Sequence, residues 1–400
     1  MEIKTQSNRL FFIDAMRAWA ILMMLQGHFI DGLLEPSFRD SSNAAYNIWL
    51  YFRGITAPVF FTVSGFIFTY LLVRVPQIGF ENPRVKKGIR RGLQLLLIGY
   101  LLRLNLFGLF KGEIYGAFFL VDVLHCIGLS ILAIIGVYLF ASKRKKFVFP
   151  LILVSITLLL FLFEPIYKQF NYGFLPVGIA NYLNKVNGSV FTIIPWLGYA
   201  TIGGALALLF KRFKDFKYLY PTAIIMALII GSSLLFFSSP LFAWLYETSG
   251  LGLFNMIQSN NYLFIRLGDV FLVFAVFILV RSLLTNKTIL KIGASTLTIY
   301  VVHFIILYGS FTGLGLYRFF HHELQPLIVI PGALLFMLAC TGISLKYMKH
   351  EVEIKQQLTT AIQFGKEQLL WVYQNSLPLI KGLVHRLRIL LQRLFGLIRN

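Results

Sequence analysis

The chain has 400 residues, of which 58% are hydrophobic and only 13% are charged, and its mean hydropathy is +0.75. Soluble domains carry about 25% charged residues, so this composition excludes a soluble globular protein and indicates a polytopic membrane protein. Cys126 and Cys340 both lie in apolar segments, which excludes a disulfide framework and a cysteine-based metal site. The net charge of +21 is explained by basic cytoplasmic loops beside anionic lipid, and we expect no nucleic-acid partner.

The apolar segments predict an all-α membrane bundle of about ten transmembrane helices, because a helix needs about 20 apolar residues to cross a bilayer. No signal cleavage site follows the first apolar segment, so we expect it to remain as the first span. We predict one membrane domain over 1–347, followed by a basic amphipathic tail over 348–400. The predicted spans are 11–34, 47–73, 91–110, 117–141, 147–163, 190–210, 218–238, 262–284, 289–309 and 326–347.

The basic residues between these spans predict the topology. Beginning with Lys4 and Arg9, nineteen Lys and Arg residues fall in segments assigned to the cytoplasm and five in outer segments. The bias alternates correctly across every span, as the positive-inside rule requires. We therefore predict that both termini are cytoplasmic. The five outer residues are Arg39, Lys111, Lys168, Lys185 and Arg318.

Four polar residues of the first span, Asp14, Arg17, His28 and Asp31, fall within a stripe about 100° wide on one helix face. A charge that faces lipid costs several kcal/mol, so we expect this stripe to face the interior of the bundle. Its two ends lie about 20 Å apart at a rise of about 1.5 Å per residue. The helix therefore presents polar groups at two depths, one cytoplasmic and one outer.

Other spans add polar residues at the outer depth. Histidines, carboxylates and arginines gathered at one depth suit proton transfer to or from a ligand that enters from outside. These residues are Arg53, Arg103, Asn105, Asp122, His125, Arg266, Asp269 and His303.

His28 is the strongest catalytic candidate among them. Asp31 lies three residues further on the same face and can hold the His28 ring in one tautomer, as the third residue of a hydrolytic triad does. Three histidines at one depth could also indicate zinc. No two of them are four residues apart and no spacing matches a ligand pattern, so we predict no metal.

Structural interpretations stay open for several of these residues. His303 in "IYVVHFIILY" fits a hydrogen-bonded packing residue better than a catalyst. Asp269 with Arg266, and Asp14 with Arg17, have the spacing of simple ion pairs along a helix.

The inner segment 84–91 is strongly basic and has two interpretations. It fits a topology signal, and it also fits a seat for an anionic cytoplasmic cofactor such as a phosphorylated nucleotide carrier. Its cationic residues are Arg84, Lys86, Lys87, Arg90 and Arg91.

The last segment, "NSLPLIKGLVHRLRILLQRLFGLIRN" (375–400), predicts a cytoplasmic amphipathic helix. Leucines recur in it at helical spacing through Leu397, with cationic residues between them through Arg399. This pattern is typical of an interfacial helix on anionic lipid, and a partner-binding helix is the alternative.

Several of these segments resemble the transmembrane acyltransferase superfamily, and the chain is most similar to its bacterial proteins of the heparan-alpha-glucosaminide N-acetyltransferase type. The matching segments run in order from residue 9 to residue 307. They are "RLFFIDAMRAWAILMMLQGHFID" (9–31), "FRGITAPVFFTVSGFIF" (52–68), "RRGLQLLLIGYLLR" (90–103), "VDVLHCIGLSIL" (121–132), "PWLGYATIGGAL" (195–206) and "LKIGASTLTIYVVHFIIL" (290–307).

The resemblance implies transfer of an acyl group, usually acetyl, from cytoplasmic acyl-CoA to a glycan or lipid-linked sugar outside a bacterial inner membrane. Acyl-CoA is then the co-substrate, membrane lipid is a partner, and a homo-oligomer is left open. We predict that Asp14 and Arg17, together with the basic residues of segment 84–91, bind acyl-CoA.

The resemblance also implies roles at the outer depth. His28 fits the general base that related bacterial acyltransferases carry near the end of the first helix, with Asp31 orienting it and Arg53 or Arg103 stabilising the oxyanion. Lysosomal relatives have Asn at this position and a His in the following loop, whereas no His occurs here from 29 to 124. The acceptor-site candidates are Asp122, His125, Asp269 and His303, although the family more often has Gln at the position of His125.

Two rival functions remain. A small-molecule or lipid transporter also needs buried His, Asp and Arg near the middle of the membrane, although no inverted repeat is visible. A catalytically inactive relative that scaffolds an envelope complex has the same sequence features as an enzyme.

Overall fold

The computed structural model describes residues 10–394, and these are helical, with a single isolated bridge between Leu34 and Leu324. Lys4, Arg9, Leu397 and Arg399, which entered the sequence predictions, lie outside the described residues. The α-helices are α1 (Phe11–Leu33), α2 (Ala44–Val73), α3 (Pro83–Arg103), α4 (Leu106–Phe110), α5 (Val123–Ala141), α6 (Val148–Leu162), α7 (Glu164–Tyr167), α8 (Val177–Ala180), α9 (Ile193–Arg212), α10 (Leu219–Ser249), α11 (Gly252–Ser259), α12 (Tyr262–Leu279), α13 (Lys287–Ala294), α14 (Thr296–Tyr308), α15 (Leu316–Phe320) and α16 (Pro326–Leu394).

Six helices of this described range are long and apolar enough to cross a membrane, namely α2, α5 with the turn before it, α9, α10, α12 and α16. The bent pair of α13 and α14 makes a seventh if it is counted as one span. The remaining predicted spans fall on α1, which carries the polar stripe, on α3, which begins with the basic cluster, and on α6, which has 15 residues. The chain is a multi-pass helical membrane protein, and the count of ten stays a prediction.

The segment 289–309, which we predicted as one span, is broken. α13 and α14 are bent by 70° at a break that contains Ser295. The Ser295 hydroxyl donates to the carbonyl of Lys291 at 2.8 Å, a type of bond that is common where helices bend. α13 packs closely on α1, because a Cβ added at Gly293 would lie 2.0 Å from the carbonyl oxygen of Asp14.

α3 begins eight residues before the predicted span 91–110 and ends at Arg103. Asn82 caps it by accepting the backbone N–H of Arg84 at 2.8 Å, and Pro83 occupies the first helical position. The five cationic residues of segment 84–91 therefore lie on the first turns of a helix. Asn105, which we placed late in the third span, caps α4 instead.

Glycines of α2 and α9 let these two helices approach each other closely. A Cβ at Gly65 would lie 1.9 Å from the Ala200 carbonyl oxygen, and a Cβ at Gly203 would lie 1.9 Å from that of Thr62. This contact holds the helix that carries Arg53 against its neighbour.

The C-terminal end of α1, which we predicted to lie on the outer side, is clamped by the segment before α16. The N–H of Glu35 donates to the Leu324 carbonyl at 3.0 Å, and the N–H of Leu324 donates to the Leu33 carbonyl at 2.9 Å. The N–H of His322 also donates to the Gly32 carbonyl at 3.2 Å. This clamp fixes the end of α1 at which His28 and Asp31 lie.

The chain divides into two compact units, Met1–Ser344 and Leu345–Asn400. The first contains every predicted site residue. In the second, α16 continues as helix to Leu394, and most of its side chains that the structure describes are exposed. The interfacial role of the tail stays a prediction.

Candidate active site

His28, near the C-terminal end of α1, is held by a tyrosine of α14. Its Nδ1 lies 3.1 Å from the hydroxyl of Tyr308, the last residue of that helix. Gly309 follows with a φ of +79°, a left-handed conformation that ends the helix and that glycine adopts without strain. We predicted that Asp31 would be the hydrogen-bond partner of His28. The partner in the structure is Tyr308.

A second histidine of the site, His303 on α14, lies beside His28. The rings of His28 and His303 have centroids 5.3 Å apart and meet edge to face at 84°. The Nδ1 of His303 lies 2.5 Å from the carbonyl oxygen of Tyr300. Because a carbonyl only accepts, this nitrogen carries the hydrogen, and the neutral ring has its lone pair on Nε2. That Nε2 is buried without a hydrogen-bond partner among the described residues.

Asp31 forms an ion pair with Arg53 of α2. Both side chains stay partly exposed, at 39% for Asp31 and 35% for Arg53. The Arg53 side chain passes close to Gly27, where an added Cβ would lie 3.5 Å from it, and its guanidinium lies 5.9 Å from the ring centre of Trp49. Asp31 thus holds an arginine next to the position of His28.

Arg103, Asp122 and His125 form a buried cluster between α3 and α5. Asp122 caps α5, accepts from Nε of Arg103 at 3.1 Å, and has an oxygen 2.9 Å from Nδ1 of His125. His125 packs against α3, where a Cβ at Gly99 would lie 2.8 Å from its Nε2. These contacts give Asp122 and His125 a capping and packing role. Arg103 also reaches α14, with its guanidinium 5.9 Å from the ring centre of Phe304.

Asp269 is buried on α12 and bonded to two partners. It accepts from Arg266 at 2.9 Å, as the spacing of these residues allows, and from the hydroxyl of Tyr51 at 2.6 Å. The Arg266 guanidinium lies 4.6 Å from the centre of the Tyr51 ring. The cluster ties α12 to α2, on which Arg53 also lies.

The inner residues lie in two places. Asp14 and Arg17 form an ion pair of 3.6 Å, and Arg17 donates to the hydroxyl of Thr296 at 3.0 Å, at the start of α14. On α3, Arg84 is partly exposed, and the other four cations are exposed, namely Lys86, Lys87, Arg90 and Arg91.

The family of the chain follows from a comparison with protein families. A family described as "Acyltransferase domain" matches residues 10–345, which include every site residue described above. The chain belongs to this acyltransferase family. No curated protein matches the chain. The family and the apolar helices together make this acyltransferase an integral, multi-pass membrane protein.

Tyr308 is the site residue of this acyltransferase that sequence reasoning missed. Tyrosine is common in membrane helices, and nothing in "IYVVHFIILY" marks its second tyrosine as a partner of His28. The same applies to Tyr51, which bonds Asp269. A row of rings also continues from Tyr308 through Tyr317 to His321 and His322, with centroid distances of 5.6, 4.3 and 3.9 Å.

Metal binding has no geometric support within residues 10–394. No three His, Cys, Asp or Glu side chains of that range are grouped so that they could hold a metal ion.

Proposed function

We propose that the protein transfers an acyl group from cytoplasmic acyl-CoA to a hydroxyl or amine of an extracytoplasmic glycan or lipid-linked sugar. The acyl group that we propose is acetyl. The observation that carries the proposal is the contact of His28 with Tyr308 beside buried His303, at the predicted outer end of the bundle. Membership of an acyltransferase family supports the reaction type. The sugar acceptor is proposed from the sequence resemblance to the heparan-alpha-glucosaminide N-acetyltransferase type.

The proposed role of His28 as a base requires one of the two tautomers that the Tyr308 contact allows. The contact occupies Nδ1, so the nitrogen that meets the acceptor is Nε2. A lone pair on Nε2 requires the hydrogen on Nδ1, which then donates to the Tyr308 oxygen. Tyr308 is therefore a positioning residue, and His28 is the catalytic base.

The reaction balances with His28 alone as proton carrier. The acceptor oxygen or nitrogen forms a bond to the thioester carbonyl carbon while Nε2 of His28 takes its proton. The carbon–sulfur bond then breaks, and its electron pair leaves with the sulfur of CoA. The imidazolium returns the proton to the thiolate, so the products are the ester or amide and free CoA.

Two arginines are candidates for stabilising the negative charge that develops on the carbonyl oxygen when the acceptor attacks the carbonyl carbon. Arg53 is partly exposed and lies next to Gly27, one residue before His28. Arg103 is bonded to buried Asp122 and contacts α14. The greater exposure of Arg53 favours it for contact with a substrate.

The test is reconstitution of the purified protein in vesicles with radiolabelled acetyl-CoA and fractions of envelope glycan or lipid-linked sugar. We expect label in an acceptor fraction and release of an equal amount of CoA. His28→Ala should abolish both. Neither label nor CoA release with any acceptor fraction would contradict the proposal, and acceptor uptake without acetyl-CoA consumption would favour the transporter.

A further inference from the structure

A cavity of about 280 Å³ separates the consecutive helices α9 and α10. α10 packs mainly against α12, whereas α9 packs mainly against α2 and α6, so the gap between α9 and α10 stays open. Thr222 is the one polar residue of its lining. The apolar lining includes Leu206 and Phe210 of α9, Ala223 and Met226 of α10, and Phe271 and Phe274 of α12.

An apolar cavity of this size does not hold water, because water needs two to four polar partners. If the cavity were empty, its lining would also lose dispersion contacts. α10 is largely exposed along its length, with Ile225 at 56% and Leu228 at 45%, as expected of a helix that faces lipid. The available filler is therefore a hydrocarbon chain of the bilayer.

One end of the cavity is basic. Phe213 and Phe216, in the turn between α9 and α10, line the cavity, and the cations that alternate with them are exposed. These cations are Arg212, Lys214 and Lys217.

A further cation lies in the segment directly after α12. Arg281 donates to the carbonyl of Ile278 at 3.0 Å, and Ile278 lines the cavity. The turn 211–217 contains one carboxylate, Asp215, which lies 3.8 Å from Lys214 and leaves the turn with a clear positive excess. This end is cytoplasmic in the predicted topology, where membranes carry their anionic lipids.

We propose that the cavity is a binding site for an acyl chain of one anionic phospholipid, whose phosphate lies on the basic turn 211–217. The apolar lining would contact the acyl chain of the lipid. The positive charge of the turn would bind the anionic headgroup, since Lys and Arg are the usual phosphate partners. A zwitterionic lipid offers the same chain without the net negative charge. This proposal rests on the cavity and the predicted topology and is independent of the proposed reaction.

The test measures lipid retained by the delipidated full-length protein in detergent. The protein is incubated with phosphatidylglycerol or phosphatidylcholine, and bound lipid is counted by native mass spectrometry. We expect one tightly retained phosphatidylglycerol. Equal retention of phosphatidylcholine would overturn the proposal. Palmitoyl-CoA is added as a competitor, and its binding in place of phosphatidylglycerol would also overturn the proposal.

Filling the cavity tests the chain site. Ala223→Trp should abolish the retained phosphatidylglycerol, whereas Ile225→Trp, on the exposed part of the same helix, should not. If Ala223→Trp does not fold, Ala227→Leu makes the same test, because Ala227 also lines the cavity. A folded cavity variant that retains as much phosphatidylglycerol as Ile225→Trp refutes the site.

Removing charge tests the headgroup site. Lys214→Ala with Lys217→Ala should weaken phosphatidylglycerol binding about thirtyfold. Each lysine near an anionic surface contributes about 1 kcal/mol of binding free energy, and the two together correspond to this factor. The matched control is Lys145→Ala with Lys146→Ala, which removes two exposed lysines from another turn predicted to be cytoplasmic. Equal effects of the two pairs would show general attraction to anionic lipid and would overturn the headgroup assignment.

Discussion

The Nδ1 of His28 meets the hydroxyl of Tyr308 at 3.1 Å, although the two residues are 280 positions apart in the chain. This contact joins the first helix of the bundle to α14, the second half of the bent pair. It occupies Nδ1, so the base that we propose uses Nε2, in the tautomer that carries its hydrogen on Nδ1.

His28→Ala should lower the rate of acyl transfer by about 10² to 10⁴, because that is the usual contribution of a general base. The variant should fold, since His28 is only partly buried. The assay is CoA release in reconstituted vesicles, with His350→Ala as the control, because His350 is exposed in the tail and pairs there with Glu353. Full activity of His28→Ala would remove this residue from the mechanism.

Tyr308→Phe should lower kcat about tenfold and leave KM nearly unchanged, since it removes one hydrogen bond to the base and no substrate contact. The ring, which lies 5.1 Å from that of Phe304, is kept. Steady-state kinetics in acetyl-CoA and acceptor make the measurement. Tyr317→Phe, in the neighbouring ring, is the control and should be close to wild type. A rise in KM with unchanged kcat would assign Tyr308 to substrate binding.

The partner of Asp31 shows what a single sequence can predict about this site. The periodicity of the first helix places Asp31 on the same face as His28. It cannot reveal that Arg53, 22 residues away on α2, forms an ion pair with Asp31, or that Tyr308 contacts His28. Helical spacing predicts neighbours within one helix, whereas contacts between helices depend on how the helices pack.

The sequence predicts a helix boundary well where capping residues mark it. Asn82 and Pro83 form a recognisable helix start, which an estimate from apolar length alone placed at residue 91. The break at Ser295 is different, because the surrounding residues are apolar enough for one continuous span. The close contact of Gly293 with α1, two residues before the break, is likewise seen only in the folded structure.

Asp31→Asn should lower activity less than His28→Ala, because Asp31 holds Arg53 and does not transfer a proton. The variant Arg53→Met and the double variant complete a thermodynamic cycle. We expect a coupling energy of about 0.5 to 3 kcal/mol in kcat/KM, as is usual for residues in contact. Additive effects in folded proteins, or a loss in Asp31→Asn equal to that in His28→Ala, would contradict this role.

Lys86→Ala with Lys87→Ala should raise the KM for acetyl-CoA more than it lowers kcat, because it removes binding energy that is the same in the ground state and the transition state. Both lysines are exposed on the first turns of α3, so the fold should be unaffected. Lys145→Ala with Lys146→Ala is the control. An unchanged KM would leave the basic start of α3 as a topology signal alone.

Truncation after residue 374 should leave transfer activity largely intact, because the family match ends at residue 345 and no residue of the outer site lies beyond it. The missing segment should instead attach to membranes, since its leucines alternate with Lys381, Arg386 and Arg388. The measurements are CoA release by the truncated protein and binding of the 375–400 peptide to vesicles of anionic or neutral lipid. Binding should weaken as salt rises, because charges at the surface are screened. A folded truncated protein without activity, or a peptide that binds neutral and anionic vesicles equally, would show that the tail has a different role.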